Sequence, residues 1–350
     1  MDGNVTRREF VKGAARVAAA AALGACAAEG AAGAEKGEEP ASKILNHNEN
    51  MEYRRLGKTG IKVSAVCLGG HWKRLQANGA DFDKNRADVV SKCIEAGINY
   101  VDACTGGEVM AYAKALKGRR DKMYFGYSWY EHEMRFKDWQ EPKKLTEGFD
   151  EGLQKSKLDY VDLWRITCFE PGSNHTFTDE ETIVGALTKA KKAGKCRFCG
   201  ISSHHRNWLK HMIESYPEIE VVLTPYTAGS KKKPEDSLFD AVKKHDAGLF
   251  GIKPFASGSV FRSRGEINPD TQKEDDERAR LSLRYVLCND ALTAPIPGLI
   301  SVEQVKNAAL AVTERRQLDL ADARRLERLT TEMWANLPPE YQWLKEWEWV

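Results

Sequence analysis

The chain has 350 residues, 42% hydrophobic and 30% charged, and its 53 Lys and Arg against 51 Asp and Glu leave a formal charge of +2. That composition is globular, and so balanced a charge offers no field for gripping a polyanion, which argues against nucleic acid as a partner. Eight Cys without tandem spacing do not make a disulfide scaffold. In chain order, paired Arg7 and Arg8 come first, ahead of an Ala-dominated apolar stretch over residues 13–28. This resembles a twin-arginine export signal, so export machinery that reads Arg7 and Arg8 is an expected partner. The stretch is too short and too rich in Ala to span a membrane. Leu23-Gly24-Ala25-Cys26 resembles a lipobox, in which Cys26 would be lipidated. A flexible tether is expected over 29–50, where the chain is too polar to pack. The expected location is outside the inner membrane, periplasmic or lipid-anchored, with membrane contact only through a lipid on Cys26.

From residue 51 to 336, β-like runs at 64–68, 98–102, 123–127, 160–166, 196–201, 220–223, 249–252 and 292–296 alternate with helical stretches. The helices are expected over 86–95, 108–116, 144–155, 179–193, 206–214, 234–245, 274–287 and 302–312. Eight βα units without a composition break predict an α/β fold, a closed (β/α)8 TIM barrel. An open doubly wound sheet would carry a Gly-x-Gly-x-x-Gly turn after its first strand, and that turn is missing. Residues 337–350 form a Trp-rich tail. A barrel of this kind does its chemistry at the carboxyl ends of its strands.

Several motifs in register then resemble one family. They are Arg54-Arg55-Leu56-Gly57-Lys58-Thr59-Gly60 within 51–64, Ala96-Gly97-Ile98-Asn99-Tyr100-Val101-Asp102, the stretch 115–122, Leu158-Asp159-Tyr160-Val161-Asp162-Leu163, Gly200-Ile201-Ser202 and Ile296-Pro297-Gly298. In that order they resemble the aldo/keto reductases. The resemblance implies a nicotinamide cofactor, NADP or NAD, and four catalytic groups: an Asp ending strand two, a Tyr soon after it as proton donor, a Lys ending strand three and a His ending strand four. The Lys, held by the Asp, would lower the Tyr pKa so that the phenol can protonate a carbonyl as hydride arrives. Asp102 stands at the Asp position. The loop after it, residues 103–108, contains no Tyr, Ser128 stands at the Lys position and Thr167 at the His position. Of the cofactor pattern, Ser202 and Ser203 would meet the carboxamide, Gly298 closes the Ile-Pro-Gly motif, and Ser301 and Gln304 stand where a basic residue would face the 2'-phosphate. Losing that basic residue weakens discrimination for NADP over NAD.

Strand alternation aims Arg165 inward below Thr167, so the guanidinium needs a carboxylate such as Asp102 or Glu170, or an anionic ligand. His71 and Lys73 in the loop after strand one and Tyr130 after strand three could replace the missing groups, and Lys253 after strand seven is a candidate cofactor contact. Asp102, poised beside Arg165 or Lys73, is expected to have a lowered pKa. Cys196 and Cys199, three apart on a strand, are expected to face opposite ways, and no metal site is expected. His204 and His205 should diverge, and Cys104 and Cys168 read as packing thiols. The tail would wall the pocket, with Trp rings suited to sugar faces. Two functions remain open. One is an exported oxidoreductase acting on a sugar-like or hydroxy-carbonyl small molecule, with a tightly held nicotinamide and a rearranged acid/base set. The other is a redox-inactive barrel without cofactor that binds carbohydrate or catalyses isomerisation or elimination.

Overall fold

The chain enters the fold through an antiparallel hairpin, β1 (Tyr53–Arg55) and β2 (Lys62–Ser64), which the alternating sequence reading did not anticipate. Seven parallel strands follow and pair in chain order: β3 (Tyr100–Ala103), β4 (Tyr124–Tyr127), β5 (Val161–Thr167), β6 (Cys196–Ser202), β7 (Val221–Pro225), β8 (Gly248–Ile252) and β9 (Ala294–Ile296). The eighth position in the ring is taken by Leu68 and Gly69, which bridge Val101 of β3 on one side and Gly298, just past β9, on the other. Leu68 N donates to Tyr100 O at 3.0 Å and Gly69 N to Pro297 O at 2.8 Å, so the ring closes. Gly298 is required there, because a Cβ would stand 2.4 Å from Gly70 O. The first barrel strand expected over 64–68 is therefore shorter and later, since Ser64 belongs to the hairpin. The computed structural model describes residues 44–70, 79–168, 176–230, 237–264, 268–314 and 317–345.

Period-2 alternation sorts each strand between two layers. Tyr100, Tyr124, Leu163, Leu223, Phe250 and Ile296 fill the barrel interior with Leu56 and Val63 of the hairpin segment. Tyr100 and Phe250 meet there with ring centroids 4.5 Å apart. The alternate residues, among them Val101, Phe125, Trp164, Ile201 and Leu249, pack outward under the helices. These are α1 (Ala80–Glu95), α2 (Gly106–Ala115), α3 (Pro142–Ser156), α4 (Phe177–Lys192), α5 (Arg206–Ser215), α6 (Leu238–Lys244), α7 (Gln272–Leu287), α8 (Val302–Thr313) and α9 (Leu320–Ala335). Their starts follow from capping chemistry. Thr105 accepts from Glu108 N ahead of α2, Thr176 and Asp179 cap each other ahead of α4, and Asp319 accepts from Asp322 N ahead of α9.

Two regions depart from the sequence reading. Asn99 Nδ2 donates to Leu45 O at 3.2 Å and Asn48 Nδ2 to Glu95 O at 3.1 Å, so residues 45–50, read as the end of the tether, lie against the barrel. Helix α9 and the 3-10 segment Pro339–Lys345 were not read as elements. Their Leu329, Met333, Leu337 and Leu344 form a third apolar cluster with Ala228, Ala256 and Val260, which ties the tail to the loop after β8. No helix among the described residues is long and apolar enough to cross a membrane, and the segments read as export signal and lipobox lie outside the described residues.

Candidate active site

Above the apolar floor of the barrel the interior turns polar at one level. Asp102 is the last residue but one of β3, two past Tyr100, and Arg165 sits on β5 two residues past Leu163, so both point inward as alternation predicted. Arg165 Nη2 donates to Asp102 Oδ2 at 2.5 Å and Nε to Oδ1 at 3.1 Å, with both side chains 5% exposed or less. The other donors go to Ala103 O at 3.2 Å, Thr167 Oγ1 at 2.9 Å and Cys104 Sγ at 3.7 Å. All five guanidinium hydrogens are thus engaged, and the cation is fixed in place. Burial pushes the Asp102 carboxyl up from its ordinary value, and Arg165 offsets that only in part. The lowering expected from the sequence is reversed, because the pair sits beneath the solvent-filled part of the site rather than in it.

Thr167 and Ser128, at the positions where the resemblance expects His and Lys, belong to a second buried network. Ser128 Oγ donates to Glu133 Oε2 at 2.5 Å and lies 2.8 Å from Thr167 Oγ1. With the only Ser128 proton committed, Thr167 is the donor to Ser128, and the chain runs from Arg165 through both hydroxyls to the Glu133 carboxylate. Glu133 also accepts from Thr167 N at 2.7 Å, Trp129 N at 3.2 Å and Trp164 Nε1 at 3.2 Å. Burial pushes its pKa up, against the pull of these donors. Sequence reasoning missed Glu133, which lies in an aperiodic loop with nothing local to show what it would face.

A cavity of about 600 Å³ opens over the ion pair and runs along the barrel mouth towards α7 and α8. Glu108, another residue the sequence reading passed over, is 4% exposed and borders it. Its Oε2 accepts from Cys104 N at 2.7 Å, and a Cβ on Gly70 would come within 2.4 Å of both carboxylate oxygens, so glycine at 70 makes its seat. Thr105-Gly106-Gly107-Glu108 has the spacing of a capping box, a pattern that explains Glu108 structurally and so hides it. Tyr130 borders the cavity too, with Arg135 stacked 5.5 Å over its ring, and burial raises its pKa. A phenol so shifted is a weak proton donor at neutral pH.

The residues expected to hold a cofactor divide. Ser202 at the end of β6 and Ser203 after it both border the cavity, and Ser203 Oγ also accepts from His205 N at 3.1 Å in the turn into α5. Lys253 follows β8 in the left-handed region (φ 54°) with Nζ 5.7 Å over the Tyr341 ring. Ser301 caps α8 by accepting from Gln304 N at 3.1 Å and does not border the cavity, whereas Gln304 does and accepts from Ile300 N at 2.8 Å. Gly298 borders it beside Gly69, its role being the barrel closure. Ser128 does not reach the cavity. His71, Lys73 and Glu170 lie outside the described residues.

The tail does wall the site: Glu340, Tyr341 and Trp343 border the cavity, and Trp343 stacks on His204 with centroids 4.3 Å apart. His205 instead caps α5, its Nδ1 accepting from Trp208 N at 3.0 Å, so the two His diverge as expected. Cys196 and Cys199 do not. Both are buried in the outer layer, and the Cys199 thiol hydrogen-bonds to Cys196, which together with burial pushes its pKa up. Cys196 opens β6 opposite Val161, itself an outer-layer residue, and both thiols are free. Burial pushes the Cys104 and Cys168 thiols up, and both, read from the sequence as packing thiols, border the cavity, with Cys104 Sγ accepting from Arg165. No cluster of three or more potential metal ligands occurs among the described residues.

The donors present suit a nicotinamide dinucleotide in chemistry: a hydroxyl at Ser202 for an amide, an ammonium at Lys253 for a diphosphate, and the side chains of Gln304 and Asn307 at the far end for an adenosine. The family model of the Aldo/keto reductase family matches residues 65–330. An L-galactose dehydrogenase from Arabidopsis thaliana is 26% identical over 306 residues, 77% of this chain and 91% of its own. An L-glyceraldehyde 3-phosphate reductase from Escherichia coli is 22% identical over 332 residues, 77% of this chain and 92% of its own. Among solved structures, an aldo-keto reductase from Bacillus halodurans in its holo form is similar with a TM-score of 0.60 and 23% identity, covering 80% of this chain and 96% of its own. An aldo/keto reductase from Klebsiella pneumoniae in complex with NADP and acetate gives a TM-score of 0.60 and 18% identity, covering 79% and 94%.

Proposed function

Since the chain belongs to the aldo/keto reductase family, we propose that it transfers hydride between a nicotinamide cofactor and a sugar-like or other hydroxy-carbonyl substrate, using an acid/base set of its own. The observation that carries this reading is the single cavity that begins over the Asp102–Arg165 pair, passes Ser202 and Lys253, and ends at Gln304 and Asn307. Bound there, a nicotinamide supplies a hydride acceptor or donor. The cation that the family takes from strand three is supplied by Arg165, from the next strand, and it keeps a positive field beneath the reacting oxygen. Glu108 takes the role of the missing phenol. In oxidation its carboxylate accepts the hydroxyl proton of the substrate while the carbinol C–H pair leaves as hydride, and a carbonyl remains; reduction is the reverse. The Trp343 and Tyr341 rings give apolar faces on which a sugar can lie.

We further propose that the protein works outside the inner membrane, exported by the machinery that reads Arg7 and Arg8, with its cofactor held through repeated turnovers and with a lipid on Cys26 as its only membrane contact. The competing reading, a barrel without redox chemistry, is favoured by the commitment of Ser128 and Thr167 to the buried Glu133 network. The deciding experiment is to denature protein purified from its native compartment and seek nicotinamide by absorbance and mass spectrometry. A near-stoichiometric dinucleotide supports the oxidoreductase; protein that carries none and takes up none when NADH or NADPH is added supports the other reading.

A further inference from the structure

The far end of the cavity carries charge of one sign. Gln272, Asp275 and Asp276 in the first turns of α7 border it together with Gln304, Asn307 and Ala308 of α8. Asp275 is occupied in structure: its Oδ1 accepts from Arg262 N at 2.5 Å and its Oδ2 from Ser263 N at 3.2 Å, pinning the loop after β8. Asp276 is placed differently. Its backbone oxygen accepts from Asn307 Nδ2 at 3.0 Å, which ties the two helices together, and its Oδ1 accepts from Gln272 Nε2 at 2.9 Å. The carboxylate is partly buried at the cavity edge with acceptor capacity left over.

The described cations that border the cavity are Arg135, Arg165 and Lys253, and all three follow or lie on the strands β4, β5 and β8 rather than this end. Arg280 approaches from α7, but its Nε pairs with Glu314 at 2.6 Å, its Nη1 donates to Asn307 Oδ1 at 2.5 Å, and it does not border the cavity. A carboxylate accepts hydrogen bonds from a ribose diol, whereas it repels the two negative charges of a 2'-phosphate.

Resting on the nicotinamide reading above, we propose that Asp276 makes the adenosine end selective for NAD(H) against NADP(H), with Gln304 offering an amide where a phosphate would need a cation. The test is equilibrium binding of NADH and NADPH to the full chain, read by tryptophan-to-nicotinamide energy transfer and by calorimetry, without any substrate. NADH is expected to bind about tenfold or more tighter than NADPH. Asp276→Asn keeps an acceptor oxygen and removes the charge, so it should tighten NADPH while leaving NADH within about threefold. Equal affinities, or tighter NADPH, would overturn the proposal while leaving the nicotinamide reading standing. A preference for NADH that Asp276→Asn leaves unchanged overturns the assignment to this residue. Failure to bind either nucleotide defeats the nicotinamide reading itself, and this proposal with it.

Discussion

Arg165 spends every N–H it has inside the barrel, and that sets what substitution at Asp102 will do. Asp102→Asn leaves a buried guanidinium without its counter-charge, and breaking a buried pair from one side costs about 3–5 kcal/mol. The loss should appear in urea unfolding, and adding Arg165→Met should recover much of it, because removing both charges together is close to neutral. If the single variant unfolds like the wild type, the pair is not what organises this level of the barrel. Glu108 calls for a different readout. Glu108→Gln keeps the seat against Gly70 but cannot take a proton, so turnover should fall by about 10² to 10⁴ while the NADH dissociation constant stays put. A loss of nucleotide affinity of the same size would make Glu108 a binding residue instead.

At the scale of elements, Glu133 joins the loop after β4 to the end of β5, and its protonation couples to folding. Burial raises its pKa in the folded state, so the folded protein binds this proton more tightly than the unfolded chain. Stability from this group is therefore present at low pH and lost as pH rises from the unfolded carboxylate range through the raised folded value. The wild type should gain on Glu133→Gln as pH is lowered from 7 towards 5, measured as the difference between their urea-unfolding free energies. A difference constant across that range would show that the carboxylate titrates alike in both states. The segment Pro339–Lys345 is the other element with a testable part. Trp343 rests on His204 beside Ser202, and Leu344 anchors the segment in the third apolar cluster. Trp343→Ala should therefore speed NADH release in stopped flow, with a modest loss of thermal stability, since only one ring of the cluster's border is removed. Unchanged release would restrict the tail to a packing role.

For the whole molecule, the export proposal predicts that changing Arg7 and Arg8 together to Lys retains folded protein in the cytoplasm, scored by fractionation. Undiminished appearance outside the inner membrane would remove the assignment. Cys26→Ala should move protein from the membrane to the soluble fraction if the lipid is attached.

The sequence by itself determined the barrel, because eight alternating runs separated by helical periods have few other ways to bury both faces of a parallel sheet. It also determined that Arg165 and Thr167 share a face with the interior, since period 2 is local information, while leaving Asp102, Glu170 or an anionic ligand open as the partner of the guanidinium. The family's catalytic positions could be located by counting from Asp102 and Lys122, and their contents, Ser128 and Thr167, were legible as departures. Tertiary structure decided what those departures mean. Glu133 reaches Ser128 and Thr167 across two strand ends, Glu108 finds its seat against Gly70 from another strand, and Asp276 borders the same cavity as Gln304 only because α7 and α8 pack together. The sign of the Asp102 shift was decided at that level as well, since the depth of burial depends on what closes over a residue and not on its neighbours in the chain. Local pattern encodes direction and period; which groups meet, and how far from water, is set by the closure of the ring.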